Sequence, residues 1–156
     1  MTGNQQTSIA ATRDSVAALF RTARCMPEDK LTWKPADTAR SAFEILQECA
    51  QSAKWFIPML SGGKSPEWNF EAVMAERAQW TTLDEVEKVC LANCESLYEA
   101  IAAVTPEGQE EEVDIPFKEG WKEKKRNIMW FQYWNTVYHT GQVNYIQTLY
   151  GDREMH

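Results

Sequence analysis

Residues 126–151 read RNIMWFQYWNTVYHTGQVNYIQTLYG. The stretch contains no proline, and its only interior glycine is Gly141. Ile128, Phe131, Asn135, His139, Gln142, Ile146 and Leu149 recur at steps of three and four residues, which places them on one face of a helix. The ends of this stripe are apolar and its middle is polar. A polar group buried without a partner costs about 1–3 kcal/mol, so Asn135, His139 and Gln142 require partners inside the molecule. The spacing predicts a long helix with one polar band facing inward. Gly141 reads as a point of close helix approach.

Three further helices are legible upstream. Ile9, Val16, Leu19, Phe20 and Ala23 give residues 8–24 an apolar face between arginines and Asp14. Ser41-Ala-Phe-Glu44 is a capping box, in which the serine hydroxyl accepts from the third backbone amide and the glutamate accepts from the serine amide. It opens a helix with Ile45, Glu48, Ser52, Trp55 and Met59 on one row and Leu46, Cys49, Ala53, Phe56 and Leu60 on the next. Pro58 should kink its last turn, and Gly62-Gly63 should end it. A second capping box, Thr82-Leu-Asp-Glu85, opens a helix whose stripe is Leu83, Val86, Cys90, Asn93, Leu97, Ile101 and Val104; Pro106 and Gly108 end it. Residues 26–39, 61–81 and 109–125 read as connectors. Trp33, Trp68 and Trp80 are their expected anchors, and residues 113–117 are expected to run briefly extended.

Four amphipathic helices with almost no strand pattern predict an all-α fold, a four-helix bundle forming one domain over residues 1–156. Connectors of about twenty residues exceed what antiparallel hairpins need, so at least one is long enough to let neighbouring helices run parallel.

Hydrophobic residues make up 44% of the 156, enough for a real core. Seven Trp, five Tyr and six Phe point to bulky packing or a lined pocket. The formal net charge of −7 argues against nucleic acid or an anionic membrane surface as partner. The one basic run, residues 122–126 (KEKKR), contains an acid and reads as a solvated turn. The N-terminus has neither a basic nor an apolar signal region, and no apolar run approaches a membrane span. Cys25, Cys49, Cys90 and Cys94 are too scattered for a disulfide framework and read as reduced, Cys90 and Cys94 sharing a helix face. The expectation is a cytoplasmic protein.

Glu48 on the second helix, with Asn135 and His139 on the fourth, form the group that carries chemistry. Metal sites in bundle cores are built from inward side chains on facing helices. Carboxylate and imidazole suit zinc, nickel, manganese or iron, and a short ligand set leaves positions open for water or substrate. A neutral amide such as Asn135 is a poor ligand. The same residues have a structural reading, in which Glu48 and His139 form a buried pair. Trp130, Trp134 and Tyr138 read as packing or a dimer surface.

The order Trp33-Lys34-Pro35, Arg40-Ser41, Glu44, Glu48, then Asn135-Thr-Val-Tyr-His139-Thr-Gly141-Gln142, with Leu149 and Gly151, resembles the DinB/YfiT-like four-helix-bundle superfamily. The resemblance covers most of the chain, and its H-x-G-Q piece is the most specific part. It implies up-down-down-up connectivity, often a homodimer, and a divalent metal held by three histidines at one end of the bundle. It also implies activities such as thiol-dependent transfer and isomerisation. Carried over by position, the three ligands fall on Glu48, Asn135 and His139, so two of the three histidines are replaced. The chain has one other histidine, His156, at its last position.

Two functions are therefore expected to compete. One is a metal-dependent transferase or hydrolase acting on a small molecule, with Glu48, Asn135 and His139 at the metal. The other is a binding or interaction module that has lost the metal, with Glu48 and His139 as a structural pair.

Overall fold

A computed structural model describes residues 1–62, 69–154 and 156. Four long helices form the bundle: α1 (Gly3–Arg24), α3 (Ala42–Ser61), α5 (Leu83–Ala103) and α7 (Phe131–Leu149). Shorter helices α2 (Glu28–Leu31), α4 (Phe70–Arg77) and α6 (Lys125–Ile128) lie between them. Strands β1 (Glu112–Asp114) and β2 (Lys122–Lys124) pair antiparallel, Val113 opposite Glu123. Among the described residues no helix is long and apolar enough to cross a membrane.

Polar contacts between helices give the connectivity. Gln5 near the start of α1 donates to the carbonyls of Ile101 and Val104 at the end of α5, at 2.6 and 2.9 Å. Arg24 at the end of α1 pairs with Asp84 at the start of α5, so these helices are antiparallel. Asn4 accepts from Trp130 Nε1 at 2.9 Å, and Thr22 donates to Asn144 at 2.8 Å, so α1 and α7 are parallel. Ser52 bonds Gln132 and Glu48 bonds His139, which makes α3 and α7 antiparallel. The bundle is therefore up-down-down-up. The parallel pair α3 and α5 requires a crossover, and the segment containing α4 provides it.

The capping boxes at Ser41 and Thr82 form as their sequences predict. Helix α3 runs through Pro58 and closes at Gly62, whose φ of 75° is a left-handed conformation that suits glycine. Gly63 and Trp68 lie outside the described residues. Trp80 is buried, and Trp33 meets Tyr150 edge-on at 6.3 Å, so both anchor as expected.

Several expectations are corrected. Helix α1 begins five residues early, because Thr2 and Gln5 form a third capping box. Its first turns bury Gln5, Ser8 and Thr12, a face that apolar periodicity does not register. The fourth helix is not continuous from Arg126: it turns at Met129–Trp130 between α6 and α7. Its most buried row is Ile128, Gln132, Thr136, His139, Val143 and Ile146, rotated from the expected stripe, and Leu149 is exposed. Gly141 also faces open space, where an added Cβ would touch nothing. The connectors carry α2, α4 and the hairpin.

The basic run folds onto acids of the same chain. Lys124 and Arg126 reach Glu110, and Lys125 reaches Glu111 at 2.6 Å. Cys49, Cys90 and Cys94 are buried free thiols, whereas Cys25 is exposed.

Candidate functional site

Helices α3 and α7 bring Glu48 and His139 together. The ring Nε2 lies 2.9 Å from Glu48 Oε1, and Nδ1 lies 2.7 Å from Gln142 Oε1. His139 is only 2% exposed, whereas the Glu48 side chain keeps 27% of its surface. Arg40, just ahead of the α3 cap, closes the arrangement. Its guanidinium pairs with Glu48 Oε2 and donates to Gln142 Oε1 at 3.4 Å. Gln142 Oε1 thus accepts from both Arg40 and His139. With Glu48 Oε1 beside Nε2, both ring nitrogens face side-chain oxygens.

Burial works against ionisation of Glu48. The hydrogen bond and charge of His139, with the charges of Arg40 and Arg77, outweigh it and hold the carboxyl at about 2, below its ordinary 4.5. A carboxylate this acidic is a poor general base near neutral pH. Cys49 is the nearest thiol, and burial together with the Glu48 charge pushes its pKa well up, so it is not poised as a nucleophile.

Asn135 does not join the pair. Its amide donates to Ser52 Oγ at 3.1 Å and approaches Cys49 Sγ at 4.0 Å. Ser52 in turn donates to Gln132 Oε1 at 2.7 Å, and Gln132 donates to the Cys49 carbonyl at 3.0 Å. The three expected ligands therefore divide between two networks.

In this arrangement both Glu48 oxygens and both His139 nitrogens have partners, and Asn135 bonds Ser52. Among the described residues no group of three or more His, Cys, Asp or Glu side chains could hold an ion.

Beside Glu48 opens a cleft of about 560 Å³, a volume typical of small-molecule sites. Trp55, Phe56, Phe70, Val73, Met74 and Phe117 form its apolar walls, and Arg40, Glu48, Arg77 and Asn135 supply polar groups. Buried amides of α3 hold α4 in place as one wall. Gln47 donates to the Arg77 and Trp80 carbonyls at 2.8 and 2.9 Å, and Gln51 donates to Glu76 at 2.6 Å. Gln51 Oε1 also accepts from Arg77 Nε at 2.9 Å.

Sequence reasoning assigned no role to Arg40, Arg77, Gln47 or Gln51. Arg40 was visible as the residue before a capping serine, eight positions ahead of Glu48. Arg77 lay in a presumed connector, where Asn69 as cap of Phe70–Arg77 was the available signal.

No family model matches the chain, nor does any curated protein. Solved structures do. YfiT from Bacillus subtilis, described as a probable metal-dependent hydrolase with an unusual four-helix bundle topology, aligns at TM-score 0.78 and 11% identity over 97% of this chain and 90% of its own. A DinB-like protein from Bacillus subtilis aligns at TM-score 0.67 and 17% identity, covering 96% of each chain. The mycothiol-dependent maleylpyruvate isomerase aligns at TM-score 0.65 and 12% identity over 92% of this chain and 63% of its own. At these identities the likeness carries the fold and not the activity. The chain has the DinB/YfiT-like four-helix-bundle fold.

Proposed function

We propose that this protein is a metal-free small-molecule-binding module, in which an Arg40–Glu48–His139–Gln142 network stands where metal-dependent bundles of this fold hold an ion. One observation carries the reading: the Glu48 carboxylate bonds His139 Nε2 and the Arg40 guanidinium at once. The guanidinium supplies the positive charge, fixed in place, and both imidazole nitrogens are engaged by Glu48 and Gln142. The cleft beside the network is the binding site.

The competing reading is a divalent-metal-dependent hydrolase or thiol transferase. The description of YfiT and the adjacency of Glu48 and His139 favour it. It requires Arg40 to leave Glu48 and the contact between His139 Nε2 and Glu48 to open.

A double-mutant cycle separates the two. In EDTA, Glu48→Gln and His139→Gln should each destabilise the fold, with a coupling energy of about 1–2 kcal/mol between them. Additive effects in EDTA, with coupling restored by zinc, would favour the metal reading.

We propose that the chain assembles as a homodimer. Trp134, Tyr138, Tyr145 and Leu149 are exposed along the outer face of α7, at the helical spacing of one apolar stripe. A self-complementary helix face suits a twofold interface with a second copy.

A further inference from the structure

Among the described residues lining the cleft, Arg77 is a cation without a direct carboxylate ion pair. Glu44 pairs with Lys34 at 2.7 Å, and Glu48 is shared by Arg40 and His139. Glu76, next to Arg77 in sequence, pairs with Lys54. Arg77 is half-buried, and its Nε is held by Gln51. Its guanidinium makes no ion pair with a carboxylate among the described residues. Desolvation lowers its pKa, while the Glu48 charge offsets part of that effect and Arg40 adds to it. A half-buried guanidinium anchored at one nitrogen, acted on by the Glu48 and Glu76 charges but in direct ion pair with no carboxylate of the described residues, can receive a planar anion through its remaining N–H groups. The rest of the cleft wall is aromatic and aliphatic.

We infer that the cleft takes a small monocarboxylic acid with an apolar body, its carboxylate held by Arg77 and its body lying among Trp55, Phe56, Phe70 and Phe117. The inference rests on reading the cleft as a metal-free binding site. A carboxylate suits the site better than a phosphate. One guanidinium matches a single negative charge in bidentate geometry, and the nearby Glu48 and Glu44 carboxylates disfavour a second. The cleft lining carries two arginines and two glutamates, so its charges balance, whereas the chain as a whole has a net charge of −7. Selection of an acid therefore rests on the Arg77 guanidinium and not on a general surface potential.

The test is calorimetric titration of the full chain in EDTA with 3-phenylpropionate and octanoate, and with their neutral amides. At least one acid should bind with Kd below about 1 mM, and its amide at least about tenfold more weakly. Arg77→Gln should remove the preference for acid over amide, and Arg77→Lys, which keeps the charge but not the planar fork, should reduce it. Circular dichroism confirms that each variant is folded; should Arg77→Gln not fold, the lysine variant decides. Equal binding of acid and amide, no binding of either acid, or an undiminished preference in the folded variants would overturn the inference. The titrations are repeated with zinc in place of EDTA. Acids that bind only with zinc would overturn the metal-free reading, whereas acids that bind in neither condition would overturn the carboxylate assignment alone.

Discussion

At the scale of single residues, the site is a question of what satisfies His139. Its ring is almost fully buried, and a buried imidazole with an unmatched nitrogen would lose about 1–3 kcal/mol. Glu48 and Gln142 meet that need, and Arg40 ties their oxygens together. The pH dependence of stability follows from Glu48. Its folded pKa of about 2 lies below the ordinary 4.5, so its contribution is present above pH 4.5 and is lost as pH falls toward 2. After discounting for solvent screening at a partly exposed carboxylate, the loss should be about 1–2 kcal/mol. Chemical denaturation between pH 6 and pH 3 should therefore fall more steeply for the wild type than for Glu48→Gln. Parallel curves would mean that the pair contributes nothing in the folded state. The sequence exposed the Glu48–His139 pairing as one of two readings, because both residues lie on inward rows. Spacing could not show that Asn135 turns to Ser52, since a one-residue rotation of α7 lies within the tolerance of a three-four pattern.

At the scale of elements, α4 makes the cleft. This eight-residue helix is too short to be stable by propensity alone, so its docking depends on α3. Gln47 and Gln51 supply that docking through buried bonds to its C-terminal carbonyls and to Glu76. Gln47→Ala with Gln51→Ala should cost about 1–2 kcal/mol for each amide removed. Hydrogen exchange should accelerate in residues 70–80 while α1 and α5 remain protected, and unchanged exchange in α4 would contradict this assignment. The long helices were legible because capping boxes and apolar rows act locally. Ser41 and Thr82 marked two starts correctly, whereas the polar first turns of α1 hid the third. Helix α4 was missed because Val73 is its only buried apolar residue, so its anchoring amides sit on a different helix. Arg77 was hidden with it.

At the scale of the whole molecule, long-range contacts fix a topology that local signals leave open. Connectors of about twenty residues left room for a parallel pair without saying which, and the Cys49–Cys90 and Ala50–Asn93 contacts show that α3 and α5 are that pair. The outer face of α7 predicts association. Light scattering coupled to gel filtration should give twice the chain mass of 18.0 kDa, and Trp134→Glu with Tyr145→Glu should give the monomer without loss of helicity. A monomeric wild type at about 100 µM would refute the interface, because a stable dimer has Kd well below that concentration.

The central claim is that Arg40, Glu48 and His139 form a closed ionic network in place of a metal site. Elemental analysis of tag-free protein, expressed with added zinc, nickel, manganese and iron, tests it most directly, with His139→Ala as control. The account predicts far less than one equivalent of any metal in either protein, and no rise in Tm when these metals are added, since an ion bound to the native state would stabilise it. About one equivalent per chain in the wild type, lost in His139→Ala, would contradict the account and restore the metal-dependent reading.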